Sequence, residues 1–83
     1  MVGFCFRYEG GIDLRVFSTV EGAYRFAARI MDEHSYDMET FEPSMVLEGQ
    51  GTLEDHKAML DEWNDHASMD GMEIVIQNVV VEE

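Results

Sequence analysis

Positive charge is scarce in this chain. Its 83 residues carry five Lys+Arg against 18 Asp+Glu, a formal net charge of −13. Phosphate backbones and anionic lipid repel such a surface, so direct contact with DNA, RNA or a membrane face is set aside. Cysteine is almost missing. Cys5 stands alone and closes no intrachain disulfide, and a small domain without such staples is expected in a reducing compartment. No apolar run approaches the ~18–20 residues of a membrane span, and the first residues show no basic-then-apolar signal pattern. The expected location is the cytoplasm, that of the host cell if the protein is viral. No Gly-rich phosphate loop is present, because Gly49-x-Gly51 is too short.

What is present suffices for one core. Apolar residues make up 46%, with five Phe, three Tyr and one Trp, which argues against disorder and for a single domain over residues 1–83. Residues 2–8 alternate, with Phe4, Phe6 and Tyr8 on one side and Cys5 and Arg7 on the other. Residues 12–17 alternate too, with Ile12, Leu14 and Val16 against Asp13 and Arg15. Gly10-Gly11 between them predicts a β-hairpin. Matching apolar faces across the strands favours a three-residue loop, Glu9-Gly10-Gly11. That register sets Phe6 opposite Leu14, Phe4 opposite Val16 and Arg7 opposite Asp13.

Ser18 with Glu21 has capping-box spacing and predicts a helix from about Thr19 to His34. Its stripe is Val20, Ala23, Tyr24, Ala27, Ile30 and Met31, with Phe26 off the stripe at an edge. Residues 36–41 alternate weakly until Pro43 stops them, and Met45-Val46-Leu47 reads as a short strand. Thr52 is a second N-cap, followed by the stripe Leu53, His56, Met59, Leu60, Trp63 and Ala67, with Gly71 as the stop. Met72 to Glu82 is apolar on both faces and reads as a central strand. The expected fold is α+β in two layers. An antiparallel sheet (hairpin plus C-terminal strand) carries two helices on one face, in the order β-β-α-(β)-α-β, the bracketed strand being the short middle run.

Side chains for catalysis or metal binding are few. His56 and His66 lie ten residues apart on one helix, about 15 Å of rise. Glu62 and His66 at i,i+4 are two ligands, not a site. Asp70-Gly71 lacks the oxygen spacing of a calcium loop. Cys5 has only Arg7 near it to activate the thiol. The expectation is no enzyme, no metal and no cofactor.

The acids are unevenly placed. Residues 1–29 have a net charge of +1, whereas residues 30–83 hold fifteen acids and one base, Lys57. On the second helix Glu54 and Asp55 recur as Asp61 and Glu62 two turns on, with Asp65 a turn further, so they line one side at intervals of about 10.5 Å. Glu39, Glu42 and Glu48 come from the middle segment, Asp70 follows the helix, and Glu82-Glu83 ends the sequence. Ordinary helix surfaces mix signs, because like charges at i,i+4 are destabilising. One explanation is a face shaped for a cationic partner. Others are a solvated face that maintains solubility, or salt adaptation, which fits less well because the first third is not acidic. Trp63, Phe41 and Met45 are candidate apolar anchors for a partner, and Met38 and Met69 also lack a clear place in a core stripe.

The acid-only stretch Asp32 to Asp70, with Lys57 its sole base, and the acidic tail resemble in type the small phage-encoded anti-CRISPR and anti-restriction proteins, some of which imitate nucleic acid. Val16 to Ala23 also resembles the strand-to-helix junction of small phage proteins. The resemblance implies a non-enzymatic inhibitor. Its acidic surface (Glu39, Glu42, Glu48, Glu54, Asp55, Asp61, Glu62, Asp65 and Asp70) would occupy the nucleic-acid groove of a host CRISPR effector, nuclease or polymerase. The protein would act as a monomer or homodimer. The alternatives are a phage or bacterial accessory or assembly module that binds through an apolar patch or sheet edge, and a divalent-cation binder.

Overall fold

Strand β1 (Val2–Tyr8) alternates, and Val2, Phe4 and Phe6 all point inward and are buried. In the computed structural model, which describes residues 1–78, β1 is the middle strand of a three-stranded antiparallel sheet. Strands β2 (Gly11–Phe17) and β3 (Glu73–Asn78) flank it in the order β2-β1-β3. Two helices cover one face, α1 (Val20–Glu33) and α3 (Leu53–Ala67), the latter continued by a 3-10 turn at Ser68–Asp70, while a short third helix, α2 (Pro43–Leu47), packs against α1. The fold is α+β in two layers, as expected. Phe4, Met31, Met59, Trp63 and Ile74 are the largest fully enclosed side chains. Removing each from water stabilises the fold by roughly 1.5–3 kcal/mol.

The hairpin register differs from the expected one. Its loop is two residues, Glu9-Gly10, with Gly10 at φ 101°, a left-handed conformation that favours glycine. Phe6 faces Asp13, Phe4 faces Arg15, and Arg7 faces Ile12 rather than Asp13. The cause lies at Phe17. Its ring packs edge-on to Phe4 at 5.9 Å and lies 5.5 Å from Phe26, which meets Phe4 at 5.1 Å. With Phe17 inward, Asp13 and Arg15 must share that side. They sit at the sheet's rim, where Arg15 spreads its guanidinium over the Phe26 ring at 4.5 Å and keeps access to water. Ile12, Leu14 and Val16 therefore turn to the helix-free face.

Other expectations are corrected as well. Thr19, not Ser18, caps α1: its hydroxyl accepts from the Gly22 N–H at 3.1 Å. Met45-Val46-Leu47 is helical rather than extended, and residues 36–41 form no strand. Pro43 starts α2 instead of ending a strand, since a first-turn position needs no N–H from proline. Among the described residues β3 is an edge strand, not a central one, and the expected strand residues 79–82 lie outside them. Thr52 caps α3 and Gly71 closes its end at φ 77°, both as the sequence predicts.

Candidate functional site

α3 begins with a complete capping box. The Thr52 hydroxyl accepts from the Asp55 N–H at 3.2 Å, and the Asp55 carboxylate accepts from the Thr52 N–H at 2.9 Å. Asp55 is thus a cap as well as a surface acid. The Thr52 N–H, then its hydroxyl, holds the Asp55 carboxyl below the usual carboxylate range.

Glu62, two turns on, reaches across to another segment. Its two oxygens accept from the N–H groups of Glu39 at 2.7 Å and Thr40 at 2.9 Å. Hydrogen bonding by the Thr40 side chain, followed by the Glu39 N–H, keeps its carboxyl below the ordinary value. His66 stands one turn along, 3.9 Å away. Past the helix, the Asp70 carboxylate accepts from the Tyr36 hydroxyl at 2.5 Å, and this bond pushes the phenol up to about 12. Three of the candidate acids therefore have structural hydrogen bonds, Asp55 within the cap of α3 and Glu62 and Asp70 to the preceding connection. Glu62 and Asp70 lay residues 36–40 along α3 and the turn that follows it.

The other six (Glu39, Glu42, Glu48, Glu54, Asp61 and Asp65) are exposed. Among the described residues only two ion pairs form, Arg15–Asp13 at 3.4 Å and His66–Glu62 at 3.9 Å, and neither involves these six. Glu54, Asp61 and Asp65 follow one line on α3, about 10.5 Å and then about 6 Å apart along the axis. The Glu62 clamp brings Glu39 beside that helix, with Glu42 three residues beyond. Glu48 caps the end of α2. The loop after it is tied to α3 by a 2.9 Å bond between His56 Nε2 and the Gln50 carbonyl. At Gly51 (φ 88°) the Phe41 ring lies so close that a Cβ would stand 2.6 Å from it. The loop is pinned from that side as well. Glu82 and Glu83 fall outside the described residues.

The candidate apolar anchors divide. Trp63 is fully enclosed and donates from Nε1 to the His34 carbonyl at 3.0 Å, so it belongs to the core and offers nothing to a partner. Phe41 and Met38 pack against that core, and Met45 is half-buried. Met69 is 88% exposed. Among the described residues no group of three or more His, Cys, Asp and Glu stands together as a metal site would require. No described helix is long and apolar enough to cross a membrane.

One surface escaped the sequence reasoning. On the helix-free face Ile12, Leu14 and Val16 are 58%, 73% and 66% exposed. Leu14 and Val16, with half-buried Cys5 and Val75, border a shallow hollow. The alternation of β2 was visible, but which of its faces met water depended on Phe17. Comparisons with protein-family models, with curated proteins and with solved structures found no match to the chain.

Proposed function

We propose that the protein is a non-enzymatic inhibitor that binds a host nucleic-acid-handling protein and fills its Lys/Arg-lined groove with carboxylates. The observation that carries this reading is the set of six exposed acids on α3 and on the segments fastened to it, none paired with a cation among the described residues. Like charges without a partner in an ion pair cost stability in the free protein, and a cationic groove would relieve that cost. Attraction over a Debye length of about 8 Å would speed the encounter, while contacts at the centre of the interface would supply most of the affinity.

The test is competition. The chain should displace an oligonucleotide from a CRISPR effector, nuclease or polymerase of its host, and the effect should weaken steeply between low and high salt. A variant with E39Q, E42Q, E48Q, E54Q, D61N and D65N should lose it. Displacement undiminished in that variant would refute the acidic-face mechanism.

A second reading, an accessory or assembly module acting through an apolar patch, draws on the exposure of Ile12, Leu14 and Val16. Its binding would be insensitive to salt and to the six neutralised acids, and sensitive to polar substitution on β2.

A further inference from the structure

The two edges of the sheet are treated differently. On β3 both backbone groups of Ile74 are taken up by Asn64, whose Nδ2 donates to the carbonyl at 2.8 Å and whose Oδ1 accepts from the N–H at 2.9 Å. On β2 no described residue pairs with the outer side. Tyr8 and Gly11 close the two-residue hairpin as a hydrogen-bonded pair, so residues 12, 14 and 16 aim their N–H and C=O groups away from β1. An uncovered row of this kind is a template for another strand.

The sequence on that edge is complementary to its own reverse, apolar residues meeting apolar ones and acid meeting base. Ile12-Asp13-Leu14-Arg15-Val16 is apolar, acid, apolar, base, apolar. We propose that β2 pairs with β2 of a second copy, antiparallel about a two-fold axis at Leu14, and so doubles the three-stranded sheet. Leu14 then faces Leu14, Ile12 faces Val16, and each of these pairs exchanges both backbone hydrogen bonds. On the helix side Asp13 of each copy faces Arg15 of the other, with Cβ atoms roughly 4.5–5.5 Å apart. These side chains already pair within one chain at 3.4 Å, so association adds a second opposite charge to each. Any register slipped by one residue sets charges against aliphatic side chains and loses both pairs.

Net charge selects the same edge. Two copies of a −13 chain repel, yet β2 lies in the segment 1–29, whose net charge is +1. A meeting here keeps the acids of α3 out of the contact, and none of the residues proposed for the inhibitory surface takes part in it.

The experiment is sedimentation equilibrium of the full chain over a concentration series, with D13R, R15D, the D13R/R15D double variant and L14P. The wild type should dimerise. Either single reversal sets like charges opposite each other and should weaken self-association about tenfold or more. The double variant should restore it, and an equimolar mixture of D13R and R15D chains should form the heterodimer. L14P removes an outward N–H that β1 does not use, and an edge strand tolerates that loss. It should keep a wild-type circular dichroism spectrum and sediment as a monomer. A wild-type chain that stays monomeric throughout overturns the proposal, as does a dimer that survives L14P or is indifferent to the charge exchange.

Discussion

Asn64 stands in for a neighbouring strand at Ile74. Its carboxamide presents a donor and an acceptor in the arrangement of a peptide group, and both bonds are short, 2.8 and 2.9 Å. One side chain from α3 therefore closes the outer side of β3 at that residue and locks helix to sheet.

Asn64→Leu should leave that N–H and C=O without protein partners and destabilise the fold by roughly 1–3 kcal/mol. Asn64→Asp keeps the acceptor and replaces the donor with a second oxygen aimed at the Ile74 carbonyl, so it should be no milder. Chemical denaturation measures the loss, and faster amide exchange at Ile74 locates it.

Glu62 makes the packing of residues 39–40 depend on acidity. Its folded carboxyl titrates below its ordinary value of 4.5, so its contribution is complete above that pH and fades as the pH falls through the folded value. The Glu39 and Thr40 amides should lose exchange protection in that acid window. In Glu62→Gln one of those two N–H groups loses its acceptor at every pH, and the acid-dependent step should disappear.

Tyr36 behaves in the opposite sense. Its phenol is raised from 10 to about 12 by the bond to Asp70. The contribution holds below pH 10 and is lost as the pH climbs through about 12. Ultraviolet titration of the phenolate should show one tyrosine ionising late for this reason, and Asp70→Asn should return it toward 10.

At the head of α3, Thr52→Ala removes the hydroxyl that receives the Asp55 N–H. A loss of about 0.5–2 kcal/mol is expected, with Thr52→Ser close to wild type. Thermal unfolding of the three proteins measures both.

The two long helices, unlike α2, are readable from the sequence because their signals are local. The stripes on α1 and α3, the cap at Thr52 and the stop at Gly71 all lie within a turn or two of the residues they govern, and Phe26 was placed correctly at an edge. The hairpin register was not readable. It is decided by Phe17 meeting Phe4 and Phe26, and matching apolar faces across two strands gave the wrong partner for every residue. Pro43 was ambiguous for a different reason, since the same ring that ends a strand also begins a helix. The acids could be counted but not sorted. Asp55 betrays itself by its spacing from Thr52. Glu62 finds its partners 22 and 23 residues away and Asp70 finds Tyr36 across 34, and periodicity holds no record of contacts at that range.

The indole of Trp63 is bonded to the carbonyl of His34, the residue that ends α1, and meets the ring of Tyr36 edge-on at 5.8 Å. The chain's single tryptophan is therefore a fluorophore installed at the joint where the first long helix hands over to the acid-rich connection. Its emission reports on that joint, so loosening of the joint by acid or by substitution should appear as a red shift.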